Sequence, residues 1–105
     1  MNTRQIINYA KDNGFNSVKF LLKVQGETRA VGRFLDAYYE FVQIPALGDG
    51  FVTISQLEEA LGYDIEFEVI NDDEYKARVR LDFLLRGKPL PEEFAFESDD
   101  TEGEG

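Results

Sequence analysis

From Tyr63 to Leu85 apolar and charged residues alternate with few interruptions, and this period of two constrains the fold more than any other feature of the chain. Ile65, Phe67 and Val69 alternate with Asp64, Glu66 and Glu68, and Tyr75, Ala77, Val79, Leu81 and Phe83 alternate with Lys76, Arg78, Arg80 and Asp82. Successive side chains on a strand point to opposite faces, so each run reads as a strand with one dry face and one wet face. The sequence therefore predicts a hairpin, Tyr63 to Ile70 followed by Tyr75 to Leu85, turning around Asn71-Asp72-Asp73. Opposing acids to bases sets its register as Glu68 with Lys76, Glu66 with Arg78 and Asp64 with Arg80, which requires a loop with an odd number of residues. Each exposed pair is worth only ~0.2–1 kcal/mol, so the pairs select the register more than they hold the sheet.

A second hairpin is expected earlier in the chain. Val18, Phe20, Leu22 and Val24 alternate with Lys19, Leu21 and Lys23, Gln25-Gly26-Glu27 reads as a turn, and Thr28 to Phe34 returns. The stretch from Phe34 to Ile44 fits two periods. As a helix it gathers Val31, Phe34, Leu35, Tyr38, Phe41 and Val42 on one side; as a strand it has the β-favouring run Tyr38 to Ile44, ended by Pro45, with Leu35 to Ala37 as a bend or bulge. The strand is preferred.

Two helices complete the expected set. Thr3 caps a short one reaching about Asp12, with Ile6, Ile7 and Ala10 on one side and Asn13-Gly14 as its stop. The other starts at Thr53, which forms a capping box with Gln56, while Val52 and Leu57 stand at the positions of a hydrophobic staple. Ile54, Leu57, Ala60 and Leu61 form its buried side, and Gly62 ends it. The fold class is α+β: one small domain in which two β-hairpins, with a fifth strand over 38–44, make an antiparallel sheet packed by two short helices. At 105 residues and 43% hydrophobic content the chain has material for one core.

Charge divides the chain at Leu90-Pro91. Of the 21 acids seven fall in residues 91–105, where there is no base, and residues 1–90 hold the other 14 against all 11 bases. The net charge of -10 thus belongs mainly to the C-terminal segment, read as an acidic flexible tail following a globular domain over 1–90.

Composition narrows the chemistry. With no Cys and no His, disulfides, thiol nucleophiles, imidazole bases and soft metal sites are excluded. Gly48-Asp49-Gly50 matches the middle of a calcium loop, but Pro45, Leu47 and Gln56 stand where ligand carboxylates are needed, so the segment reads as a turn feeding the capped helix. The same glycines lack the third glycine of a dinucleotide loop, because Thr53 occupies its place. The carboxylates are plentiful, yet no pattern isolates one with a raised pKa. No enzyme activity, metal or cofactor is expected. The apolar runs are too short to span a membrane, and the absence of Cys fits the cytoplasm.

What remains is binding. The sequence predicts a protein-binding or regulatory module contacting a protein partner, with no direct nucleic-acid binding because the charge opposes phosphate. Candidate partner-binding residues are the aromatics Tyr38, Tyr39 and Phe41, and the tail residues Glu92, Glu93, Phe94, Phe96, Asp99 and Asp100. Ser98 to Glu102 has the form of an acidophilic kinase site. In size and charge the chain resembles small inhibitors from mobile elements, of the anti-CRISPR and anti-restriction type. That resemblance implies an alternative function, an acidic mimic of nucleic acid that blocks a nucleic-acid enzyme.

Overall fold

The hairpin of β1 (Lys19–Val24) and β2 (Glu27–Phe34) is the centre of the molecule, turned by Gln25 and Gly26 at φ 53° and 83°. Two consecutive positive φ values give a turn whose twist matches that of the strands, and Gly26 supplies one of them without a Cβ penalty. In this computed structural model, which describes residues 1–14, 17–35, 40–48 and 50–95, three more strands extend the hairpin: β3 (Phe41–Gln43), β4 (Val52–Thr53) and β5 (Ile65–Ile70). The order is β4-β3-β2-β1-β5 and every neighbouring pair is antiparallel. Strand over helix is thus the outcome for Phe41–Gln43, with Pro45 opening a 3-10 turn at Pro45–Leu47; residues 36–39 of the expected strand and bend lie outside the described residues.

Helices cover both sheet faces. On one side α1 (Thr3–Asn13) contributes Ile6 and Ala10, and α2 (Ile54–Leu61) contributes Ile54 and Leu57. They pack on Phe20, Leu22, Phe34, Val42 and Phe67, where the Phe20 ring stands edge-on to Phe67 at 5.0 Å and tilted to Phe34 at 5.4 Å. Such rings dominate the burial, each worth ~3–5 kcal/mol against truncation to Ala. Both α2 end signals expected from sequence are present: Thr53 Oγ1 accepts from the Gln56 amide and the Gln56 side chain accepts from the Thr53 amide. For α1 the cap is Asn2 rather than Thr3, paired with Gln5, which leaves the Thr3 hydroxyl to donate to Glu58 at 2.7 Å and join the two helices.

The expected second hairpin does not exist. β5 forms as predicted, but the segment after it is a helix, α3 (Asp72–Arg86), and the sheet partner of β5 is β1. The pairs Glu68 with Lys76, Glu66 with Arg78 and Asp64 with Arg80 are therefore absent; Glu68 meets Lys23, Asp72 meets Lys19, and Arg78 pairs with Glu74 one helical turn away. Local chemistry explains the helix. Asn71 accepts from the Glu74 amide at 2.7 Å, and Asp72, Asp73 and Glu74 oppose the positive end of the helix dipole. Glu74 with Arg78 and Asp82 with Arg86 add i,i+4 pairs, and Gly87 closes the end in the left-handed region. Among the described residues the architecture is thus three α-helices, rather than the expected two, on an antiparallel sheet with one tight hairpin.

α3 lies across the second sheet face. Tyr75, Val79 and Phe83 pack on Leu21 and Val31 of the central hairpin, with Ala46 beside them. Phe94 completes this cluster at 5% exposure, its ring 6.0 Å from Tyr75 and 6.4 Å from Phe83. It is held by a 3-10 turn, Glu92–Phe94, whose Phe94 carbonyl accepts from Arg80 Nε. Phe94, placed by the sequence in the acidic tail, packs against the domain, while residues 96–105 lie outside the described residues.

Candidate functional site

In a helix, residues two apart lie about 200° around the axis, so a strict period of two generates two opposed stripes. Tyr75, Val79 and Phe83 form one and are buried. Ala77, Leu81 and Leu85 form the other, joined by Leu84, and point away from the sheet. Leu81 is 46% exposed, Leu84 74% and Leu85 76%, three neighbouring leucines on one surface. Isolated exposed leucines are ordinary, but a contiguous set on the outer side of a packed helix is a marker of an interaction surface.

A groove of about 400 Å³ runs along this face, walled by Ala77, Leu81, Phe83, Leu84 and Leu90, with Arg80 and Lys88 at its rim. Both cations are anchored to backbone: Arg80 to the Phe94 carbonyl, and Lys88 Nζ to the Ala46 carbonyl at 2.7 Å. These bonds fix both side chains beside the groove. Of the neighbouring bases, Arg78 is paired with Glu74 and Arg86 with Asp82. An apolar floor beside Arg80 and Lys88 thus sits on a chain that is acidic in sum.

A second, more polar cleft of about 240 Å³ opens between β1, β2 and the start of α3, lined by Lys19, Arg33, Asp72, Tyr75, Lys76, Glu93 and Phe94. The Tyr75 hydroxyl is buried without a hydrogen-bond partner, and burial pushes its pKa up to about 12, with Arg33 opposing the shift and Glu93 and Asp72 adding to it. A phenol held neutral in this way is a poor general base at neutral pH. Among the described residues no group of three or more His, Cys, Asp and Glu could hold a metal ion, and no helix is long and apolar enough to cross a membrane.

Among the described residues, those singled out from sequence lie in two places. Phe41 is half-buried, its ring 4.7 Å from that of Phe51 at the β4 end of the sheet. Glu92 and Glu93 are exposed on the 3-10 turn beside α3, and Phe94 is in the core, closed to a partner. Tyr38, Tyr39, Phe96, Asp99 and Asp100 lie outside the described residues, as does the kinase-like segment 98–102. Sequence reasoning missed the leucine face because it assigned Leu81 to the dry side of a strand that ended at Leu85. The signal for it was in the same residues: Asn71 followed by three acids, and Gly87 sixteen positions after Asn71, bracket a helix. Comparison with known proteins finds no matching family model, no matching curated protein and no matching solved structure.

Proposed function

We propose that this chain is a small protein-binding module and that the outer face of α3 is its contact surface. The observation that carries the reading is the set Leu81, Leu84 and Leu85, exposed on the outer side of α3, of which Leu81 and Leu84 line an apolar groove beside Arg80 and Lys88. Fully burying a leucine is worth about 1.5–3 kcal/mol, so these three side chains have the apolar capacity to anchor a contact. Lys88 beside the groove favours a partner with an acidic group flanking its apolar residues. The nucleic-acid-mimic reading draws on the acids of residues 91–105 and gains nothing from α3, whose acids and bases balance.

Substitution of the most projecting groove residue tests the proposal. Leu84→Asp is expected to fold, because its side chain is exposed, and to lose any stoichiometric protein complex that the full-length wild type forms in a lysate of the source cell or with itself. A folded Leu84→Asp variant that retains every such complex overturns the assignment of the surface.

A further inference from the structure

We infer that the cleft between β1, β2 and the start of α3 binds a small organic carboxylate, held by the Arg33 guanidinium and the Tyr75 hydroxyl. It is separate from the leucine groove, with which it shares no lining residue. Strand register carries half of the argument. Lys19, Arg33 and Gln43 stand opposite one another on β1, β2 and β3, in one row across the sheet. Lys19 and Arg33 share the face on which Leu21 and Val31 meet α3, because each lies two positions along its strand from one of them. Like charges directly opposite on neighbouring strands repel. Asp72 relieves Lys19 with an ion pair at 3.0 Å, but among the described residues no carboxylate lies within ion-pair distance of Arg33. Arg33 Nε donates to the neutral Gln43 side chain at 2.9 Å, which leaves the donors on its two terminal nitrogens to meet another acceptor.

Tyr75 carries the other half. The residue is 5% exposed, and its hydroxyl is buried without a hydrogen-bond partner. Arg33, Asp72 and Glu93 all act on that hydroxyl and all line the cleft, so the polar end of the ring is directed at it. Phenylalanine would fill the same space without the cost of an unpaired donor. A costly donor and a guanidinium without a carboxylate, lining one cleft, call for a shared acceptor, and a carboxylate brings two oxygens and a single charge.

The cleft also shapes the rest of the ligand. At about 240 Å³ it is smaller than the ~300–1,000 Å³ of pockets that take drug-sized molecules. The rings of Tyr75 and Phe94, 6.0 Å apart, give it an apolar wall, which suits a carboxylate on a small apolar body. Glu93 lines the same cleft, and its charge repels a dianion more strongly than a monoanion.

The probe is sodium benzoate, titrated into the isotope-labelled full chain at pH 7 and constant ionic strength and followed by NMR shifts. Expected is saturable binding with a dissociation constant of about 1–10 mM, the scale for so small a molecule, with the largest shifts at Lys19, Arg33 and Tyr75. Neutral benzamide, of the same shape, and inorganic phosphate should each bind more weakly than benzoate by about tenfold or more. Arg33→Met should weaken benzoate binding by at least about tenfold, and Tyr75→Phe, which removes no hydrogen bond of the fold, by about tenfold. The inference is overturned if benzoate does not saturate by about 50 mM, if Tyr75→Phe binds it as tightly as wild type, or if benzamide or phosphate matches it. Shifts confined to residues outside the cleft overturn it as well; that is the result expected if water alone serves the Tyr75 hydroxyl.

Discussion

Lys23 Nζ lies 2.6 Å from the Glu68 carboxylate, tying the inner strand β1 to the edge strand β5. The Lys23 hydrogen bond and its charge hold the Glu68 carboxyl below its ordinary value, against a smaller opposing effect of burial. A depressed carboxyl pKa stabilises the fold above the unfolded value of about 4.3, and the contribution fades as pH falls through the folded value. Wild type is therefore expected to exceed Glu68→Gln in stability at neutral pH, and the gap should close in acid. Urea midpoints of both proteins at pH 7 and near pH 3 check this; a gap that widens in acid contradicts it.

Gly32 in β2 is required by close approach. A Cβ there would lie 2.7 Å from the Gln43 carbonyl oxygen of β3, 3.1 Å from Ile44 Cγ1 and 3.2 Å from Phe20 Cζ. Relief demands that β3 move away from β2 or that the Phe20 ring leave the core. Gly32→Ala should cost about 1–3 kcal/mol, in the range of an overpacked core, as read by chemical denaturation. A change below a few tenths of a kcal/mol would show that β3 yields freely.

Tyr75 places a neutral phenol where its oxygen has no partner, with a pKa of about 12 against the usual 10.0. A raised pKa in the fold means that this stability is complete below the unfolded value and is lost as pH rises toward the folded one. Tyr75→Phe should match or exceed the wild type by up to about 1 kcal/mol at neutral pH, because no hydrogen bond is removed. Its stability should also fall less steeply between pH 10 and 12. Thermal melts across that range, with a spectroscopic tyrosine titration, measure both.

Phe94 ties residues 91–95 to the domain through its contacts with Tyr75 and Phe83. Phe94→Ala should destabilise by about 3–5 kcal/mol and Phe94→Leu by clearly less, measured by urea unfolding. A Phe94→Ala protein as stable as wild type would mean that the segment only rests on the surface.

Much of the framework was legible in the residues. The β1–β2 turn, the capped start of α2 at Thr53 and its stop at Gly62 are decided by neighbours within four positions, through dihedral preference and side-chain capping. The strand period of Ile65, Phe67 and Val69 was equally local, but its partner was not: Lys23 competes with Lys76 for Glu68, and only the path of the chain chooses. The expectation for 75–85 failed because period-two patterning serves two structures. On a strand it gives one apolar face; on a helix it gives two opposed ones, and this is distinctive only when both are matched by something apolar.

The same ambiguity separates what each level determined. By itself the sequence sets the α+β class, the caps and turns, the absence of thiol and imidazole chemistry, and the concentration of acid in residues 91–105. Tertiary structure decided that β1 rather than residues 75–85 pairs with β5, that Phe94 belongs to the core, and that Leu81, Leu84 and Leu85 point outward. Local signals act through hydrogen bonds and dihedral angles a few residues apart and leave their mark in the sequence. Which of two apolar stripes is buried depends on the surface that α3 meets, and that surface is built by β1 and β2, some fifty residues earlier in the chain.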